Sequence, residues 1–132
     1  MKKIYIAGPM RGLPDLNFPA FDRAALHFGD CGYFVFNPSD MDRAAGDNAD
    51  DPPFIADCMK RDLNVICECT DIALLRGWPH SAGVRPEVAL AHLLKLNFHE
   101  ENEIGFFVPV SRHYVAAIIG QYFINNYFAR TK

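Results

Sequence analysis

Asp71-Ile-Ala-Leu-Leu75 and Ser81-Ala-Gly-Val-Arg-Pro-Glu-Val-Ala-Leu-Ala-His-Leu-Leu94 are the stretches whose reading decides the fold. The first is a short continuous apolar run, which reads as a buried strand. The second opens on the turn residues serine and glycine and continues from Glu87 as a helix. Strand, turn and helix in that order form the unit of a parallel α/β sheet, and such sheets bind ligands at turns of this kind. Pro86 suits the first helical position, because its missing N–H needs no partner there. Glu87 then falls in the first turn, where the helix dipole favours its ionised form. A small hydroxyl, a flexible glycine and a carboxylate at one turn point to a nucleophile working on a phosphorylated sugar.

The flanking sequence repeats the pattern. Lys3-Ile-Tyr-Ile-Ala7 is predicted to be the first strand, ended by Gly8-Pro9, and Gly8 to Phe18 is a glycine- and proline-rich loop. Pro19 starts a helix with Phe21, Ala24, Ala25 and Phe28 at helical spacing, and Gly29 to Gly32 ends it. Tyr33 to Phe36 reads as the second strand, closed by Asn37-Pro38, and the polar, acidic Ser39 to Asp51 as a long loop or lid. Pro52-Pro53 precede a helix with Ile55, Met59, Leu63 and Ile66 on one face. Asp71 to Leu75 is the third strand and Glu87 to Leu96 the next helix. Ile104 to Val110 is a fourth strand, and the aromatic Tyr114 to Phe128 a final helix. The expectation is one α/β domain over residues 1–132, a doubly wound, Rossmann- or flavodoxin-like three-layer sandwich with a mostly parallel sheet. In that fold the loops after the first and third strands meet at the carboxyl edge.

Composition narrows the partners. The 132 residues are half apolar and carry a formal net charge of −3, which fits a soluble globular chain. No basic run exceeds Lys2-Lys3 or Lys60-Arg61, so there is no stripe for a nucleic-acid backbone. The apolar stretch near the N-terminus is too short for a signal peptide or a membrane span. Cys31, Cys58, Cys67 and Cys69 lack metal or redox spacing and read as reduced thiols of a cytoplasmic protein. The histidines at 27, 80, 92, 99 and 113 show no ligand spacing and read as surface or rim residues. No metal and no cofactor is expected.

Several residues have both a structural and a chemical reading. Tyr5 is either a core tyrosine or the phenol that orients Glu87, with Ile4 and Ile6 on the opposite face of its strand. Gly8-Pro9-Met10-Arg11-Gly12 can cradle an anion through backbone N–H groups, with Arg11 as a charged clamp, yet lacks the Walker and dinucleotide signatures. Asp62 is a solvated helix residue or, if its helix lines the cleft, a general acid for a leaving group. Asp71 reads as a turn or cap residue. Ser81 and Gly83 are ordinary turn residues unless a ligand sits over them, and no G-x-S-x-G elbow is present. Trp78 is a lid over a base or is packed within its loop.

Taken together, these residues resemble the nucleoside 2-deoxyribosyltransferase superfamily, particularly its nucleotide-hydrolysing branch. They also resemble phage and bacterial proteins grouped within that clan as a domain of unknown function. The resemblance is carried by Lys3-Ile-Tyr-Ile-Ala-Gly-Pro-Met-Arg-Gly12, Asn17-Phe-Pro-Ala-Phe-Asp22, Val35-Phe-Asn-Pro38, Asp62-Leu63, Asp71-Ile-Ala-Leu-Leu75 and Ser81 to Ala91, about residues 2 to 95 in all. It implies that Glu87 is the nucleophile attacking the anomeric carbon, that Tyr5 positions it, and that Asp62 is the acidic residue near the base. Ser81, six residues before Glu87, stands where transferases tend to carry aspartate and nucleotide hydrolases serine. The resemblance thus implies a 5′-phosphate held by Ser81, Gly83, the Gly8, Met10, Arg11 and Gly12 loop, and Ser111. Ser111 and Tyr122-Phe123 have counterparts in the hydrolase branch, where a neighbouring subunit's C-terminal residues complete each site.

The expected reaction is hydrolysis of the N-glycosidic bond of a nucleoside or 2′-deoxynucleoside 5′-monophosphate through a glycosyl ester on Glu87. If a second base captures that ester, the same site is a transferase. Arg85 and Pro86 depart from the small or aromatic residues preceding the family's nucleophile, which keeps a non-catalytic nucleotide-sensing module in view. The apolar tail (Tyr114, Ile118, Ile119, Tyr122, Phe123, Tyr127, Phe128) predicts a homodimer or higher homo-oligomer with shared sites; the blander alternative is an interaction protein whose tail is simply a dimer interface.

Overall fold

An unbroken apolar run is satisfied only where both faces of a strand are covered, and the two such runs of this chain occupy the middle of its sheet. The computed structural model describes the backbone of residues 1–45 and 52–131 and the side chains of residues 1–43 and 56–121. The chain runs β1 (Lys3–Ala7), α1 (Phe18–Asp30), β2 (Phe34–Phe36), α2 (Pro38–Ala45), α3 (Pro52–Ile66), β3 (Asp71–Leu74), α4 (Val84–Leu93), β4 (Asn97–Glu101), β5 (Phe107–Val110) and α5 (Arg112–Thr131). Short 3-10 turns lie at Pro14–Asn17 and Trp78–His80. The strands form one five-stranded sheet in the order β2-β1-β3-β4-β5. β2, β1, β3 and β4 are parallel, and β5 runs antiparallel to β4.

Alternation along β1 divides the interior into two layers. Ile4 and Ile6 join Ala73 and Leu75 against Ala20, Phe21, Ala24 and Phe28 of α1. Tyr5 and Ala7 join Ile72, Leu74 and Phe98 against Ile66, Val84, Val88, Ala91 and Val115 on the other side. The result is the expected three-layer α/β sandwich, with α1 on one face and α3, α4 and α5 on the other. No helix among the described residues is long and apolar enough to cross a membrane.

Four elements differ from the sequence expectation. Residues 38–45 form α2 rather than loop, while residues 46–51 of the expected lid lie outside the described residues. Asn37 Oδ1 accepts the Ser39 N–H at 3.0 Å, and Pro38 opens the helix, a cap that outweighs the polar composition. α4 begins at Val84, so Pro86 is its third residue, still among the positions whose N–H has no intrahelical acceptor. The strand expected from Ile104 begins at Phe107, because Asn102 Oδ1 accepts the Ile104 and Phe106 N–H groups and holds a turn through Gly105 (φ 88°).

β4, Asn-Phe-His-Glu-Glu, is a further strand that hydrophobicity does not announce. Each of its polar side chains beyond Asn97 has a partner. His99 Nε2 lies 2.8 Å from Asp71 Oδ2, and Glu100 accepts from Trp78 Nε1 and Tyr114 Oη, both at 2.8 Å. Glu101 accepts the Arg76 N–H at 3.0 Å. Thus His99 is half-buried beside Phe28 and Tyr33 on the α1 side of the sheet, and buried Asp71 is its partner.

Candidate active site

The chain leaves β1 through α1 to β2 on one side, then crosses to β3 on the other. That reversal opens a crevice beyond the carboxyl ends of β1 and β3. The crevice holds a cleft of about 410 Å³, within the range of small-molecule sites. Tyr5, Gly8, Pro9, Met10 and Arg11 reach it from β1 and its loop. Ser81, Gly83 and Glu87 reach it from the loop after β3 and the start of α4, and Asp62 from α3.

The Tyr5 hydroxyl donates to Glu87 Oε2 across the cleft floor, both side chains being buried. Burial, then the carboxylates of Glu87 and Asp62, raise the Tyr5 phenol well above its ordinary range and keep it a donor. Glu87 itself is pushed up to about 8, chiefly by burial, with Asp62 and Asp42 adding to the rise and Tyr5 and Arg61 opposing it. The helix N-terminus therefore does not decide its ionisation, contrary to the sequence expectation. Asp62 is raised by burial against the pull of Arg61.

Asp42, which lines the cleft, and Arg61, which holds it, escaped the sequence reading as site residues. Asp42, on α2, accepts from Arg61 Nη2 at 2.9 Å, while Arg61 Nε donates to Asp62 Oδ1 at 3.0 Å. Burial works against the Arg61 charge, but its two carboxylate partners raise it overall. Cys58 borders the same wall and donates its thiol to Asp42 at 3.7 Å; burial, then Asp42, raises that thiol. The signal for Asp42 was the Asn37-Pro-Ser-Asp40 helix start, which puts residue 42 on a turn of helix facing α3 rather than in a loop.

Other predicted positions fall into distinct roles. A methyl on Gly8 would come within 2.6 Å of the Leu75 side chain, so glycine there is required for packing. Gly83 lines the cleft, and a methyl added there would stand in open space. Gly12 takes φ 81° in the turn beyond Arg11 and does not line the cleft. Ser111 Oγ accepts the Tyr114 N–H at 3.1 Å, capping α5 away from the cleft of its own chain. Trp78 is packed in the core, and His80 lines the cleft. The Tyr122 and Phe123 side chains lie outside the described residues. All four cysteines are free thiols. Among the described residues no three His, Cys, Asp or Glu side chains are grouped to hold a metal ion.

Chemically, the cleft offers a buried carboxylate fixed by a phenol, a second carboxylate with a raised affinity for protons, and glycine- and serine-bearing turns opposite them. No curated protein matches the chain, and no solved structure does. One family model does match, over residues 2–99, a span that includes every cleft-lining residue from Tyr5 to Glu87 and stops before β5 and α5. The chain belongs to that family, described as Domain of unknown function (DUF4406).

Proposed function

We propose that the chain hydrolyses the N-glycosidic bond of a nucleoside or 2′-deoxynucleoside 5′-monophosphate, as its resemblance to the nucleotide-hydrolysing branch of the nucleoside 2-deoxyribosyltransferase superfamily implies. The observation that carries this reading is the buried Tyr5–Glu87 hydrogen bond on the floor of a cleft that Asp62 also lines. Glu87, in its ionised form, attacks the anomeric carbon as the C–N bond breaks, and the bonding pair leaves with the base. Asp62, whose carboxyl is raised by burial, supplies the proton that the departing base needs. Water, losing a proton to Asp62, then adds to the anomeric carbon as the ester C–O bond breaks, returning Glu87 as carboxylate and Asp62 as acid and releasing a (deoxy)ribose 5-phosphate. The phosphate lies toward Ser81, Gly83 and the Gly8–Arg11 loop. Serine suits that position because it donates to a phosphate, whereas a carboxylate would repel it.

A second reading rests on the burial of Glu87, which favours its protonated form: a carboxyl that keeps its proton is a poor nucleophile, and the cleft would then bind nucleotides without cleaving them. Chromatographic assay of base release from nucleoside and 2′-deoxynucleoside 5′-monophosphates separates the two. Release that disappears in Glu87→Ala is the expected result. Release that persists in that variant removes Glu87 as nucleophile, and binding without release favours the sensing module. Reaction of free nucleosides only when a second base is added makes the protein a transferase.

A further inference from the structure

The wall formed by α2 and α3 carries more than Asp62. Asp42 is nine-tenths buried and lines the cleft, and its Oδ1 accepts from Arg61 at 2.9 Å. The same Arg61 Nη2 lies 3.0 Å from Asp62 Oδ1, which Nε also contacts. The guanidinium is thus turned toward two carboxylates and holds them in place, so what this wall presents to a ligand is carboxylate oxygen. Phe21, Pro38 and Met59 line the cleft as well and offer apolar surfaces to a planar group. With Glu87 facing the anomeric carbon and the phosphate toward Ser81, the base must extend along Asp62 to Asp42.

We infer that Asp42, held by Arg61, reads the exocyclic amino group of the base, so that the site selects amino-bearing bases over their oxo counterparts. This rests on the orientation given under the proposed function. An ionised carboxylate accepts hydrogen bonds and cannot donate them. An exocyclic amine supplies the donor it needs, whereas a carbonyl oxygen in the same place sets two acceptors against each other. A site built for one pattern rejects the other because its buried group is left unpaired.

The test is calorimetry on the Glu87→Ala protein with two matched pairs, cytidine and uridine 5′-monophosphate, and adenosine and inosine 5′-monophosphate. At least one amino member should bind about tenfold or more tightly than its oxo partner. Asp42→Asn, which exchanges an acceptor for a donor at the same size, should bring that ratio toward unity or invert it, with circular dichroism checking that the variant folds. Equal affinities within both pairs overturn the inference, as does a ratio that folded Asp42→Asn leaves unchanged. If the variant does not fold, the ratio in the Glu87→Ala parent decides alone. Base release by the protein with Glu87 intact is measured separately. An amino preference in binding without any release removes the hydrolase reading and leaves this one, and no binding at all removes both.

Discussion

Glu87 sets two effects against each other whose sizes can be compared. A helix N-terminus favours a carboxylate by about 0.3–1 kcal/mol. Withdrawing that carboxylate from water costs several kcal/mol, and here Asp62 and Asp42 stand nearby, so the carboxyl rises from 4.5 to about 8. Between those values the folded protein holds a proton that the unfolded chain has released. The stability this proton represents is complete below pH 4.5 and is lost as pH rises through about 8. Each tenfold change in proton affinity is worth about 1.4 kcal/mol, so the loss amounts to a few kcal/mol. Glu87→Gln keeps the shape and removes the ionisation. Its Tm relative to the parent should therefore climb steadily as pH increases across that window; a pH-independent difference would show that Glu87 titrates normally. The same proton governs the reaction, because only the ionised form attacks carbon. Because the proposed reaction needs Glu87 ionised and Asp62 protonated, kcat/KM for a monophosphate should follow a bell-shaped pH profile with one limb near 8, and Asp62→Asn should remove the other limb.

At the scale of single elements, α2 carries the specificity wall, and its hold on the fold is a short chain of contacts. Asn37 caps it, Ser39 Oγ donates to Asp22 Oδ1 at 2.9 Å, and Arg43 pairs with Asp22 at 2.6 Å while covering the Phe18 ring. Asn37→Ala removes the cap and a donor to Asp22, and should cost about 1 kcal/mol in urea unfolding. Hydrogen exchange should locate the loss: amides of residues 39–43 exchange faster while those of β1 and β3 keep their protection, and a uniform change would contradict a local role. This helix also shows what the sequence concealed. β1 and β3 were legible because both faces of each are apolar, and β4 was not, because its stability comes from partners distant in sequence such as Asp71, Trp78 and Tyr114. α2 lay between these cases. Its start signal was present at Asn37-Pro38, but the acidic run that follows is satisfied by Arg43, three residues after Asp40 and paired with it only once the segment is helical, and by Arg61, which no local pattern pairs with it.

For the whole molecule, topology made most of the candidate site legible: once β1 and β3 are adjacent and parallel, Tyr5, the Gly8–Arg11 loop, Ser81 and the start of α4 that carries Glu87 converge. Gly12 and Ser111 are the exceptions: Gly12 lies in the turn beyond Arg11, and Ser111 follows β5 and caps α5 away from that cleft. Near it the surface is unusually apolar for a lone chain. Ile104 (76% exposed) and Phe106 (65%) in the turn before β5, Val108 (40%) on that edge strand and Tyr114 (42%) on the first turn of α5 are exposed. An edge strand bearing apolar side chains is a template for another chain. The expected homo-oligomer should appear as a dimer or larger species by light scattering at micromolar concentration. Introducing Phe106→Glu and Val108→Lys together should shift it to monomer with unchanged circular dichroism, since both side chains already face water. If a neighbour's Ser111 completes each cleft, the monomer should also lose most of its affinity for the 5′-phosphate while Glu87 keeps its place. A monomeric variant as active as its parent would instead confine the working site to the loops of a single chain, and Ser111 would remain only the cap of α5.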